Sequence, residues 1–159
     1  MEKRIKTNAM RILEQHHIDF EAVYYDLGDE EFSGEAVAAA LNIPAEQSFK
    51  TLTTRCQKSG IVVFVVPVNA ELDLKKAAAA ISDKKVELLA VKELLSVTGY
   101  MRGEVSPVGM KKSYPTYINE SAKAFDTIYI SGGKKGVNLV VSPAKVADFL
   151  HARFADIVS

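Results

Sequence analysis

The chain has 159 residues, 48% apolar and 25% charged, which excludes wholesale disorder. Its 20 Lys and Arg balance 20 Asp and Glu, so there is no global positive excess to hold nucleic acid unaided, and such a substrate needs local basic patches or a presenting partner. A single cysteine, Cys56, excludes an intramolecular disulfide and a cysteine zinc motif, while the longest apolar run, residues 61–68, contains Pro67 and is too short for a membrane span. Arg11 interrupts the apolar residues behind Lys3, Arg4 and Lys6, so no signal-peptide core forms. The expectation is one reduced, soluble, cytoplasmic domain covering residues 1–159.

In chain order, Ile5, Ala9, Ile12, Leu13 and His16 share one face of a first helix, with Thr7 at its cap. Residues 20–25 are rich in strand formers. Ser33 caps a short helix through residues 36–41, Asn42 suits a left-handed exit, and Pro44 prevents continuation. Residues 49–56 and 61–66 flank Gln57-Lys58-Ser59-Gly60 as a β-hairpin. Residues 72–81 and 91–97 read as helices, the second stopped by Gly99. Strands at 127–130 and 137–141 surround a glycine-rich turn, and Ser142-Pro143 opens a final helix over 144–151. Helices and hairpins interleave without a βαβ rhythm, which predicts an α+β domain with a mixed sheet.

Charge is uneven: 9 basic and 12 acidic side chains in the first 80 residues, 11 and 8 in the rest. Six of nine glycines fall between Gly99 and Gly136, where special backbone geometry is therefore expected. The segment matches neither a Walker loop nor a dinucleotide fingerprint; it reads as generic turns or as a loop whose N–H groups approach a ligand. Lys50 opens a strand between apolar neighbours. Such a lysine is ordinarily exposed; pointed into a pocket, its ammonium would hold a phosphate or a developing oxyanion. His16, His17 and His151 end helices and suit structural roles there. Cys56 reads as a buried small hydrophobe. No metal-ligand spacing and no nucleophile–base constellation is found.

Five segments, taken in order and spacing, resemble the YbaK/EbsC family: Lys50-Thr51-Leu52; Leu72-Asp73-Leu74-Lys75-Lys76; Thr98-Gly99-Tyr100 with Gly103; Ser106-Pro107-Val108-Gly109-Met110-Lys111-Lys112 with Pro115-Thr116; and Ile128 through Gly136 with Ser131-Gly132-Gly133 at its centre. These are freestanding bacterial Cys-tRNA(Pro) deacylases related to the editing domain of prolyl-tRNA synthetases. The resemblance implies an α+β single domain with a mixed, barrel-like sheet flanked by helices. It implies hydrolytic removal of a misattached amino acid, no metal and no cofactor. The partners it implies are Cys-tRNA(Pro) and prolyl-tRNA synthetase, with no membrane.

By the same resemblance Lys50 is the catalytic residue, and Tyr25, Thr51, Gly103, Ser131 and Asn138 bind substrate. The implied mechanism has the substrate thiol attack its own ester and leave a cyclic thioester. Two positions depart from the pattern: Asn138 stands where the family often has an acid, and Glu104 follows Gly103 in place of a second glycine. Both bear on specificity, so a deacylase for alanine or serine, and a non-catalytic module binding aminoacyl-tRNA or a synthetase, stay open alternatives.

Overall fold

The computed structural model describes residues 6–159. Thr7 is extended and its hydroxyl accepts the Met10 N–H at 3.2 Å, which starts helix α1 (Asn8–Gln15). The part of the first-helix pattern that rests on Ile5 lies outside the described residues. Strand β1 (Phe20–Tyr24) precedes α2 (Gly34–Leu41), capped by Ser33 and ended by Asn42 at φ +56°. The hairpin of β2 (Phe49–Cys56) and β3 (Gly60–Pro67) pairs in register from Phe49↔Pro67 to Cys56↔Gly60.

Helix α3 (Leu74–Ala80) starts later than its apolar pattern suggests. The Asp73 carboxylate takes the Lys75 and Lys76 N–H groups, both at 3.0 Å, and so fixes the cap. After β4 (Val86–Leu88), the segment expected to be one helix is a 3₁₀ turn, Val91–Glu93, running into α4 (Leu94–Thr98). Gly99 at φ +86° ends it. Strands β5 (Thr116–Asn119), β6 (Ile128–Lys134) and β7 (Val137–Val141) follow, then α5 (Pro143–Leu150) with Ser142 at its cap, and β8 (Arg153–Ala155). The glycine-rich Ser131-Gly132-Gly133 belongs to β6 as a bulge rather than to the turn.

The α+β class and the mixed sheet match the expectation, with the strands divided between two sheets. Order β1-β7-β6 is antiparallel throughout, and order β4-β2-β3-β5-β8 is mixed, because β5 lies parallel to both β3 and β8. A parallel bridge from Ser48 to Tyr129 joins the sheets. β3 is apolar without alternation because both its faces are covered. Val65 packs with the α1 and three-stranded-sheet cluster, and Val62, Phe64 and Val66 pack with α3, Cys56 and Ile157.

The end of the chain is held by α3 and β5. The Asp73 N–H donates to the Ile157 carbonyl at 2.8 Å, the Ile157 N–H donates to Asn119 Oδ1 at 3.2 Å, and Lys76 Nζ reaches Asp156 and the Val158 carbonyl. Among the described residues no helix is long and apolar enough to cross a membrane.

Candidate active site

The hydrogen-bond phase of β2 sets the site. Val68 N–H donates to the Ser48 carbonyl at 2.8 Å, so even-numbered residues of β2 bond to β3 and odd-numbered ones turn their amides to the opposite edge. β4 covers that edge only at residues 54–56, and the Leu89 N–H adds a bond to the Thr53 carbonyl at 2.9 Å. The main chain at Thr51 is left facing an opening between the two sheets. A cavity of about 540 Å³ occupies it, and Tyr25, Lys50, Thr51, Gly103, Ser131 and Asn138 all line it. The structure thus brings together all six residues singled out from the sequence, from five separate places in the chain.

Lys50 is half-buried there, and its only hydrogen bond among the described residues is a long one, 3.5 Å from Nζ to the Val68 carbonyl. Among the described residues no carboxylate pairs with it, and no Asp or Glu lines the cavity. The ammonium is therefore left for an anionic or polarised ligand oxygen. Asn138 faces Ser131 across the β6–β7 ladder, is 7% exposed, and its side-chain amide makes no hydrogen bond among the described residues. The Thr51 hydroxyl is buried without a hydrogen-bond partner among the described residues. Burial pushes the Tyr25 phenol above its usual pKa; a backbone hydrogen bond at Gly136 opposes this and the Glu104 carboxylate adds to it. Tyr25 thus stays a hydrogen-bond donor at neutral pH.

Ser131 is already committed. Its hydroxyl donates to the Glu104 carbonyl at 3.0 Å and accepts the Gly133 N–H at 3.0 Å, tying the bulge of β6 to the loop that carries Gly103. That loop is pinned again by Tyr100, whose hydroxyl donates to the Val108 carbonyl and whose pKa burial pushes up to about 12, against a hydrogen bond with Ser106. Gly103 is suited to glycine by its φ of +86°; a Cβ there would also meet Lys135 Cε at 2.8 Å, though that flexible side chain can move aside. Lys135 in turn lies over the Phe32 ring, 5.7 Å from its centroid.

Phe32, Arg102 and Thr53 also line the cavity, and sequence reasoning did not single them out. Phe32 and Arg102 each carried a faint signal, an aromatic inside an acidic stretch and a cation next to a glycine. His16 caps the end of α1 against Phe149, with rings 4.7 Å apart, and His151 ends α5 at φ +54°; no histidine lines this cavity. Cys56 is buried beside Thr54, away from it. Among the described residues no group of three His, Cys, Asp or Glu could hold a metal ion.

The aminoacyl-tRNA editing domain model matches residues 29–149, the span that includes five of the six lining residues discussed first. A relative from Enterococcus faecalis, named "Putative Cys-tRNA(Pro)/Cys-tRNA(Cys) deacylase EbsC", is 44% identical over 154 residues, 97% of this chain and 94% of that one. A proline–tRNA ligase from Streptomyces coelicolor is 28% identical over 78% of this chain and 22% of its own length. Among solved structures, one titled "Crystal structure of a putative trans-editing enzyme for prolyl tRNA synthetase" superposes with a TM-score of 0.83 at 23% identity, covering 98% of this chain and 99% of that chain, a likeness of fold. On the match of the domain model and the near-full-length similarity to EbsC, the chain belongs to the aminoacyl-tRNA editing domain family, in its YbaK/EbsC branch.

Proposed function

We propose that the chain, acting as one editing domain over residues 1–159, deacylates mischarged Cys-tRNA(Pro) in trans in the cytoplasm, with prolyl-tRNA synthetase presenting the tRNA. The observation that carries this is Lys50: a half-buried ammonium that, among the described residues, has no carboxylate partner and lies in a cavity that no Asp or Glu lines. A site of that kind is built for negative charge that develops during acyl transfer. The deacylase name of the 44% identical relative and the editing-domain model point to the same reaction class.

Lys50 is the proposed catalytic group, and Tyr25, Thr51, Gly103 and Asn138 bind the aminoacyl end, with Ser131 holding the Gly103 loop. No cysteine, histidine or carboxylate among the described residues lines the cavity, which suits the mechanism that the family resemblance implies, in which the nucleophile comes with the substrate. The cysteine sulfur, as thiolate, attacks its own carbonyl carbon. The C–S bond forms as the C–O bond to the ribose breaks, and the thiol proton ends on the released ribose hydroxyl. Water then opens the cyclic thioester to free cysteine. A thiol, with a reference pKa of about 8.5, has an appreciable anionic fraction at neutral pH that a serine hydroxyl lacks. The Lys50 ammonium and the N–H groups near Gly103 oppose the charge on the carbonyl oxygen.

Single-turnover release of tRNA from Cys-, Ala- and Ser-tRNA(Pro) tests this. Fast release from the cysteine ester alone is the expected result. Preferred release of alanine or serine moves the specificity, and binding without release removes the enzyme reading.

A further inference from the structure

The loop that carries Gly103 borders a second opening. Arg102, Gly103 and Val105 line the cavity described above, whereas Pro107, Met110 and Lys112 line a separate groove of about 390 Å³. Val105 and Pro107 are two residues apart, on the order of 7 Å of extended chain, so one strip of backbone divides the two openings. The ends of two helices complete the groove: His16 follows α1, His151 follows α5, and both line it.

Ile12, Met110, Phe149 and Leu150 supply half-buried apolar surface to this groove, and Lys112, His16 and His151 stand exposed around it. The hydroxyls of Tyr114 and Thr116 are already used: Tyr114 donates to the Val97 carbonyl at 2.7 Å and Thr116 to the Tyr114 carbonyl at 3.0 Å. Among the described residues Lys112 has neither an ion pair nor a side-chain hydrogen bond, and no Asp or Glu lines the groove. The negative poles of two helix ends oppose an anion here. They are blunted, because the His17, Ile18 and Ala152 N–H groups bond to the Glu14, Leu13 and Ala147 carbonyls. What remains is an ammonium and two imidazoles, each with an N–H donor in either charge state, beside an apolar wall.

A ligand for such a groove has an anionic group beside a flat or apolar body. A nucleotide has both: its phosphate meets the cations, and its sugar and base lie on the apolar wall. The substrate of the deacylase reading is a polynucleotide that extends well beyond the ester held in the cavity. Resting on that reading, we infer that the groove formed by Lys112, His16, His151 and Phe149 binds a phosphodiester segment of the tRNA outside its aminoacylated end. A chain whose 20 basic and 20 acidic side chains cancel gains from such a local anchor.

The test separates anchoring from chemistry. Single-turnover hydrolysis of Cys-tRNA(Pro) is followed against protein concentration for the wild type, Lys112→Ala, Lys112→Arg and His151→Gly, with cysteinyl-adenosine as an ester too short to reach the groove. Lys112→Ala and His151→Gly raise the half-saturating concentration for tRNA by about fivefold and leave the limiting rate and the short ester untouched. Lys112→Arg recovers most of that loss. Lys112→Ala also lowers the slope of log affinity against log salt by about one, read by anisotropy with uncharged tRNA(Pro). His151 sits at φ +54°, a conformation glycine adopts freely, so His151→Gly raises the melting temperature by about 2 °C while weakening tRNA binding. A histidine with only a structural role would not divide the two readouts.

Unchanged half-saturation and an unchanged salt slope overturn the anchor while leaving the deacylase reading intact. An equal loss on cysteinyl-adenosine also overturns it, since the substitutions then act on the cavity through the shared loop. A defect that shows only when prolyl-tRNA synthetase is added makes the groove a protein-facing surface, and the inference is wrong. If the wild type cleaves neither ester, yet the variants still weaken uncharged tRNA, the deacylase reading falls and the anchor stands.

Discussion

The Ser131 hydroxyl lies in the cavity, yet its proton belongs to Glu104: Oγ donates to that carbonyl at 3.0 Å while accepting the Gly133 N–H. Ser131 is therefore a positioning residue for the Gly103 loop. Ser131→Ala removes both bonds, and a melting loss of about 1 kcal/mol is expected. On the proposed reading, in which the loop turns its N–H groups to the developing oxyanion, the change should fall on kcat with KM nearly constant. Ser131→Thr restores the hydroxyl and should recover most of the rate. A loss confined to KM, or no recovery with Thr, assigns Ser131 to direct substrate contact.

Lys50→Ala should lower single-turnover deacylation by at least about a hundredfold. Stability should change little, since among the described residues the lysine's only protein bond is the long one to Val68. Lys50→Arg should also fail, because a planar guanidinium does not fit where a compact ammonium does. A folded Lys50→Ala protein with near wild-type turnover would falsify the catalytic assignment.

Cys56 should be silent. It is packed among Val62, Val86 and Ala77, and burial, against a hydrogen bond from Thr54 and with a contribution from Asp83, raises its thiol pKa. Cys56→Ser should leave turnover within about twofold and cost about 1 kcal/mol of stability. Brief treatment with an alkylating reagent and with a chelator should also leave activity in place. Inactivation of the wild-type protein but not of Cys56→Ser by the reagent would show that the thiol participates.

Asp83 predicts an acid limb. Its carboxylate accepts the Ser59 N–H at 2.8 Å, the Lys58 N–H at 3.0 Å and the Lys84 N–H at 2.6 Å, closing the β2–β3 turn onto the end of α3. Desolvation works against these bonds, but they prevail and hold the carboxyl well below the usual carboxylate range. A group whose pKa is depressed by folding contributes stability above its unfolded pKa of about 3.9 and loses it as the pH falls further. Melting temperatures from about pH 7 to about pH 3 should fall more steeply for the wild type than for Asp83→Asn. Parallel curves would contradict the assignment.

Substrate-assisted attack predicts a gap between near-isosteres. Serine and cysteine esters differ by one atom, and pocket shape separates such pairs by only about a hundredfold or less. At equal occupancy the cysteine ester should exceed that gap, and S-alkylated Cys-tRNA should bind without being cleaved. The rate on unmodified Cys-tRNA should rise with pH as the bound thiol ionises, toward about 8.5 in the unperturbed case. Equal rates for cysteine and serine would point to water activated by the protein.

Much of the fold was legible because its boundaries are local. Thr7, Ser33, Asn42, Gly99 and Ser142 each act on the helix next to them, and a single residue type suffices to mark the place. Strands β4, β5 and β8 were not legible. They have three or four residues, too few to show an alternation, and β5 and β8 exist only through parallel partners far away in the chain. The bulge at Ser131–Lys134 was read as a turn because its glycines suit either. In the site, Lys50 and the residues around it came through their resemblance to a family pattern. Thr53 did not, since its place in the cavity wall depends on which edge of β2 stays uncovered, a property of sheet order.

That sheet order also dictates when the protein can be finished. β8 pairs with β5, and Ile157, fully buried, closes the apolar cluster over Val62 and Phe64. During synthesis these valines and phenylalanines emerge roughly ninety residues before the chain that covers them, a delay of several seconds or more at ribosomal rates. Until residues 153–158 leave the ribosome, the five-stranded sheet has an unpaired parallel edge and a greasy face turned to water. The nascent protein should therefore engage chaperones early and release them only when residues 153–158 have emerged, so that a ribosome-arrested chain ending at residue 150 stays protease-sensitive where the released 159-residue chain is resistant.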